Sequence, residues 1–400
     1  MNVEPLIPNI DFDQLEEIAL AATTMVQSAR EHMLAPNKVK KAPHMTTTEI
    51  CEITQLQRSN FNYHYTTNET LPRGQIAGNK REFTMAEARE WIRFLRPDKV
   101  RDPSVSAGCT ITVANYKGGV TKTTTVATLA QGLCRRGMRT LVIDLDPQGS
   151  CSALFGILAD VDVEEDQTVT PLYMGTQDGL ESCIQKTYWD GIDIIAASPA
   201  LYSSEFILPS RQRSEPGFEF WRVLDAGLDS VRDQYDVIII DSPPSLSYTT
   251  INALMAADGL LMPMPPSNLD FASSAQFWNL CTDLIKTLYA DRGLPDKKFS
   301  FINILLSKVD SSVGVSTAVR SWIYNAYGSM VMPVEIPKTS IAETASAGFG
   351  TVYDLVPGSV LAKTLKRAKD AYEDMIDYVE KQVRGVWAGQ ALMNSKGDAK

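Results

Sequence analysis

The spacing of apolar residues changes character twice along this 400-residue chain. Over residues 10–33, Ile10, Phe12, Leu15, Ile18, Ala19, Ala22, Met25 and Val26 recur at helical spacing. This predicts one amphipathic helix capped by Asp11 or Asp13. A lone helix cannot bury such a stripe, so it needs a partner surface. Residues 1–36 are therefore read as a dimerisation helix, followed by a linker with the basic run Lys38, Lys40 and Lys41.

A second pattern occupies residues 44–101. Thr46-Thr47-Thr48-Glu49 is a helix cap ahead of Ile50, Ile53 and Leu56. A polar and aromatic stretch runs from Gln57 to Tyr65, and Leu71 to Phe83 reads as a turn-rich ribbon around Gly74 and Gly78. Thr84-Met85-Ala86-Glu87 opens another helix, which carries Ala88, Trp91, Ile92 and Leu95. Helix, turn, helix, ribbon, helix is the outline of a winged helix-turn-helix, assigned to residues 37–105. A small helical packing domain with an ordinary solvated surface is the alternative.

From about residue 107 the period shortens. Apolar runs at 110–114, 140–145, 192–197, 236–240, 259–264, 300–306 and 331–336 are rich in Val, Ile and Leu, as buried parallel strands are. Helical segments at about 122–136, 247–256, 271–290 and 314–327 lie between them, and a long helix is predicted over 359–386. The predicted fold is α/β, with a mostly parallel sheet covered on both faces, over residues 106–388. Residues 389–400 read as a flexible tail.

Charge sharpens the middle block. The whole chain carries −10, yet residues 37–101 hold twelve Lys/Arg and seven Asp/Glu, about +5. A sign change confined to one block is an electrostatic footprint for nucleic acid. Arg58, Ser59, Asn60 and Asn62, with Arg73, Lys80 and Arg81 on the ribbon, are the candidate operator contacts. The six cysteines include no CxxC pair, which gives no support to zinc or iron–sulfur ligation. No apolar run reaches membrane-spanning length and the N-terminus lacks signal-peptide blocks, so a cytoplasmic protein is expected.

The chemistry concentrates after the first strand of the third region. Asn115-Tyr116-Lys117-Gly118-Gly119-Val120-Thr121-Lys122-Thr123-Thr124 lies between a strand and a helix, the setting of a phosphate-binding loop. Gly118 and Gly119 let the backbone turn its N–H groups inward, and the helix start adds its own. Lys122 can reach the β- and γ-phosphates of ATP, or the β-phosphate of ADP, and Thr123 can place its hydroxyl on Mg²⁺. Leu141 to Asp146 is a strand ending in acids, with Pro147 and Gly149 in a loop able to respond to a γ-phosphate. Val237 to Asp241 is an apolar strand ending in an acid, a Walker B strand whose Asp241 holds Mg²⁺ through water.

Lys117, Gly118, Gly119, Lys122 and Thr123 together resemble the deviant Walker A signature of the ParA/MinD superfamily; Asn115 stands where the ordinary loop has glycine. The resemblance implies that Lys117 reaches a dimer partner's nucleotide and that Asp146 orients the attacking water, with Asp144 nearby. It places Pro337 against the adenine, and offers Lys308, Arg320 and Lys338 as non-specific DNA contacts on the ATP dimer. The front end is similar to the long branch of ParA, plasmid partition ATPases that also repress their own operon. That branch implies a homodimer on the nucleoid, a ParB-type centromere-binding partner, operator and non-specific DNA, and no membrane. The segment 389–395 is too polar for a MinD-like membrane helix. The competing reading is a transcriptional repressor that uses ATP or ADP mainly as an allosteric ligand.

Overall fold

The computed structural model describes residues 10–34, 40–159, 161–294, 297–310, 314–355 and 361–397. Two compact units are present, residues 1–41 and 42–400. The first holds helix α1, Phe12–Leu34. Its predicted stripe is exposed: Phe12, Leu15, Ile18 and Met25 all face solvent.

The second unit opens with strand β1 (Met45–Thr46), helices α2 (Thr47–Thr54) and α3 (Arg58–Thr67), strands β2 (Gln75–Ala77) and β3 (Lys80–Phe83), and helix α4 (Met85–Leu95). Capping boxes start two of these helices: Thr46 with Glu49, and Thr84 with Glu87. The three strands pair antiparallel in the order β1-β3-β2. Phe61, Phe83 and Trp91 are fully buried and touch one another, with the Phe61 and Trp91 rings 4.5 Å apart.

The larger sheet uses β4 (Cys109–Val113), β5 (Thr140–Asp144), β6 (Gln185–Lys186), β7 (Ile192–Ile195), β8 (Val237–Asp241), β9 (Gly259–Met264), β10 (Phe301–Val309) and β11 (Val331–Pro337). Its order is β11-β10-β9-β4-β8-β5-β7-β6, parallel throughout except for the edge strand β6. The helices of this region are α5 (Lys122–Arg135), α6 (Ser150–Leu154), α7 (Thr170–Met174), α8 (Ser204–Ser214), α9 (Val223–Leu228), α10 (Tyr248–Ala256), α11 (Asn268–Leu288), α12 (Gly314–Tyr327), α13 (Ser340–Ala347) and α14 (Ala362–Gly397). No helix is long and apolar enough to cross a membrane, among the described residues.

Successive strand side chains alternate between faces. Val142, Ile194 and Ile239 pack on one face with Leu129, Ile376 and Val379, while Leu141, Ile143 and Ile240 pack on the other with Leu224 and Leu254. The first of these cores also contains Met45, Phe61 and Trp91, so residues 42–105 share a core with the sheet rather than hanging from it. Gly132 makes the contact between α5 and α14 possible, since a Cβ there would meet Ile376 at 2.0 Å.

One expectation fails at the C-terminus. Helix α14 continues through Gly397, across most of the segment read as a tail. Gln390 to Met393 are good helix formers, Trp387 is buried, and Asn394 Nδ2 donates to the Val105 carbonyl at 2.9 Å.

Candidate active site

Strands β4, β5 and β8 end side by side, with Val113 and Asp144 both in register with Asp241. Their loops define one open cavity of about 460 Å³. On its floor lie Gly118, Gly119, Thr121, Lys122, Thr123 and Thr124. Gly119 has φ +75°, which glycine adopts without strain, and a Cβ on either glycine would meet no protein atom within 4 Å. Asn115, in the place of the usual first glycine, ties the loop down: its Nδ2 donates to the Pro263 carbonyl at 2.9 Å, and its Oδ1 accepts from the Lys117 N–H at 3.1 Å.

Lys122 is buried, and its Nζ donates to the Lys117 carbonyl at 2.9 Å. Burial pulls its pKa below the ordinary lysine value, against the attraction of Asp241 and Asp146. Thr123 Oγ1 donates to Asp241 Oδ2 at 2.8 Å. Asp241 is fully buried, and its other oxygen, Oδ1, has no hydrogen-bond partner among the described residues. Burial first, and the neighbouring Asp144 second, push the Asp241 pKa well above the carboxylate range.

The two acids of β5 and its loop divide their labour. Asp146 lines the cavity, and its Oδ1 accepts the Gln148 N–H at 3.1 Å. Asp144 turns away: its Oδ2 accepts both the N–H and the hydroxyl of Ser152 at 2.8 Å, and its Oδ1 accepts the Asp146 N–H at 3.1 Å. Asp144 thus holds the loop and α6 in place, and the cavity lining includes Asp146 but not Asp144. Burial pushes its pKa up to about 7. Lys117 Nζ lies 2.8 Å from Asp270 Oδ1, near the start of α11.

A family profile described as an AAA domain matches residues 108–292. The chain is 32% identical to protein SopA of Escherichia coli K12 over 280 residues, 69% of this chain and 66% of that protein. It is 31% identical to the chromosome partitioning protein ParA of Caulobacter vibrioides over 251 residues, 61% of this chain and 87% of that protein. The chain belongs to the ParA family of P-loop ATPases. A cobyrinic acid a,c-diamide synthase from Mycobacterium smegmatis, solved with ADP and magnesium, matches at 27% identity and TM-score 0.51, over 68% of this chain and 94% of that one. A partition protein matches at TM-score 0.61 and 21% identity, over 94% of this chain and 99% of that one, and shares the fold.

The rest of this cavity carried little signal in the sequence. Pro337 lines it, together with Ile336, Val352, Ala368 and Tyr372. Ala368 and Tyr372 stand one turn apart on α14, an apolar pair with no chemical signature. Tyr372 is buried, which pushes its pKa up to about 12. Lys308 and Lys338, expected on a DNA surface, both line this cavity. Arg320 is held by Glu335. Val120 is buried, and its carbonyl accepts from Ser307 Oγ at 3.1 Å.

On the front block, Arg58, Ser59, Asn60 and Asn62 are exposed along α3, and Lys80 is exposed on the ribbon. Arg73 and Arg81 have other work. Both guanidinium groups lie over the Tyr65 ring, at 4.8 and 4.6 Å, and both donate to backbone carbonyls. They brace the ribbon against α3. The positive footprint also shrinks, because Arg89 pairs with Asp190, Arg93 and Arg101 with Asp236, and Arg96 with Glu380.

Proposed function

We propose that this ParA-family ATPase works as a DNA-segregation switch that closes as a dimer on ATP and opens after hydrolysis. The observation that carries the reading is the convergence of Lys122, Thr123 and Asp241 on one cavity, with a buried Asp241 oxygen left unmatched by the chain. An unmatched buried carboxylate oxygen beside a threonine hydroxyl fits a hydrated Mg²⁺. When bound, Mg²⁺ neutralises charge on the β- and γ-phosphate oxygens. Lys122 holds the same oxygens from the protein side. Asp146 orients the attacking water, and its loop reports the γ-phosphate. Lys117 exchanges Asp270 for the partner subunit's nucleotide when the dimer closes.

The front end gives the switch its DNA specificity. The order α2, α3, ribbon, α4 suits a winged helix-turn-helix, with α3 in the major groove and Lys80 on the backbone. The α1 stripe gives a dimer that does not depend on nucleotide. A ParB-type partner stimulates hydrolysis, and non-specific DNA binds the ATP form on the nucleoid.

Turnover and sedimentation measured together, without nucleotide, with ADP and with ATP, test the switch. Lys117→Gln should bind ADP normally yet lose the ATP-specific dimer. Normal ATP dimers in that variant would remove Lys117 from the interface. Titration of the full chain against its own upstream DNA tests the front end. Arg58→Ala should weaken that binding by about 1–3 kcal/mol and leave random duplex nearly untouched, whereas Lys80→Ala should weaken both alike and lower the salt slope by about one. Operator binding without any turnover would instead favour a repressor for which ATP is an allosteric ligand.

A further inference from the structure

Strand β10 ends in a conformation that its sequence does not favour. Lys308 has φ +50°, the left-handed region that side-chain-bearing residues adopt only when their surroundings enforce it. The cause is a bulge. Leu306 pairs with Glu335 and Val309 with Pro337, so three steps along β10 match two along β11. Such an extra residue re-aims one side chain out of the alternation, and bulges of this kind gather beside active sites.

Here the re-aimed side chain meets the phosphate loop. Lys308 Nζ donates to the Gly119 carbonyl at 2.7 Å. The residue before it, Ser307, donates to the Val120 carbonyl at 3.1 Å. Two consecutive side chains of β10 therefore hold two consecutive carbonyls of the loop. A peptide unit is planar, and its C=O and N–H point in opposite directions. Fixing the Gly119 and Val120 carbonyls toward β10 sends the N–H groups of Val120 and Thr121 the other way.

We propose that Lys308 is a positioning residue for nucleotide binding: the β10 bulge aims its ammonium at the Gly119 carbonyl, and with Ser307 it fixes the loop in its anion-cradling form before nucleotide arrives. The inference rests on reading this cavity as the nucleotide site. Lys308 is a wall of the same cavity, alongside Pro337 and Lys338. Preorganisation of this kind raises affinity, because the loop loses less freedom on binding.

The test uses the full chain. Lys308→Met keeps the aliphatic stem and removes the ammonium, Lys308→Arg keeps a charged donor, and Lys308→Gly removes the ammonium while relieving the backbone. Calorimetry with ADP reads affinity, and hydrogen exchange of the loop amides in nucleotide-free protein reads the preorganisation directly. Lys308→Met should raise the Kd for ADP about ten- to hundredfold, the scale of one hydrogen bond to a charged group. Its loop amides from Gly118 to Thr121 should exchange faster, and KM for ATP should rise more than kcat falls. Lys308→Arg should recover part of the affinity. Lys308→Gly should lose affinity as Lys308→Met does even though its melting temperature holds or rises, which separates positioning from folding. Unchanged ADP affinity and loop exchange in Lys308→Met, with weaker binding to random duplex, would make Lys308 a DNA contact and overturn the proposal. Lys122→Ala is the control for the underlying reading. If wild type fails to bind ADP, the nucleotide site itself is wrong; if wild type binds, Lys122→Ala does not, and Lys308→Met matches wild type, only the positioning role fails.

Discussion

Helix α5 carries charge at both ends, and the two ends are finished differently. At its start, Lys122 is buried against a backbone carbonyl, and Asp241 beside it keeps one oxygen unmatched. At its close, the Arg136 guanidinium is shared among three carboxylates of α14: Glu373 at 2.7 Å, Glu380 at 3.4 Å, and Asp377. Arg135 next to it meets Glu49 of α2 at 3.2 Å. Burial costs both ends free energy. The far end offsets that cost within the chain, whereas the near end leaves it for a ligand to offset. One helix thus separates groups kept for chemistry from groups kept for structure.

The largest effect should come from the near end. Lys122→Ala should abolish productive ATP binding and slow hydrolysis by at least about 10²–10³, the scale of losing one group aimed at developing charge. The nucleotide-free variant should melt no lower than wild type, because the lost ammonium was buried without a carboxylate in contact. A large loss of stability would show that Lys122 is structural and would erase the contrast.

The far end should give the reverse. Arg136→Ala strands Glu373, Asp377 and Glu380 around a buried hole, and should cost about 3–5 kcal/mol in urea unfolding. The surrounding carboxylates outweigh its burial and hold the Arg136 pKa above the ordinary value, so the charge persists at any working pH. Arg136→Lys should recover only part of the loss, since one ammonium cannot serve three carboxylates.

A pH series sharpens the near end further. The pKa values of Asp144 (about 7) and Asp241 are raised in the folded chain, against an ordinary value near 4 in the unfolded one. Between those values the folded chain binds more protons, so this contribution to stability grows as pH falls through the window and is lost as pH rises. Asp241→Asn should therefore stabilise the nucleotide-free protein by about 1–3 kcal/mol at pH 8. Its advantage should shrink as pH falls. Thermal melts without Mg²⁺ or nucleotide check this, and an advantage that stayed constant with pH would mean that Asp241 is already neutral at pH 8.

The same contrast explains what the sequence could reveal. Strands such as Val237–Asp241 are buried on both faces and read as unbroken Val and Ile runs. Lys117 to Thr123 are seven consecutive residues running from a loop into the start of α5, so their spacing alone announces phosphate chemistry. Structural charge is different, because its partners are distant. Arg93 and Arg101 meet Asp236, and Arg96 meets Glu380, more than a hundred residues away in each case. Read locally, those arginines looked like a footprint for DNA; folded, they fasten the front block to the sheet. Asp144 and Asp146 sit two residues apart, and only the fold shows that one faces Ser152 and the other the cavity. Lys308 was legible as a cation, but the bulge that aims it was not.

The smallest effect tests whether the two ends of α5 are independent. Glu49 caps α2 through the Thr46 N–H at 2.9 Å and also pairs with Arg135, with about a third of its side chain exposed. Glu49→Gln keeps the cap, because glutamine serves in a capping box, and removes only the ion pair. A pair this exposed contributes about 0.5–1 kcal/mol. Although burial works the other way, Arg135 and the cap together hold the Glu49 pKa below the ordinary value. The contribution is therefore present above the unfolded pKa and lost as pH falls through the folded one. The melting temperature of Glu49→Gln should thus sit slightly below wild type at pH 7 and converge with it below about pH 4. ADP affinity should not change, because Glu49 touches nothing in the nucleotide cavity. A shift in ADP affinity of threefold or more would mean that α5 transmits strain along its length, and that α2 and the phosphate loop are coupled through this helix.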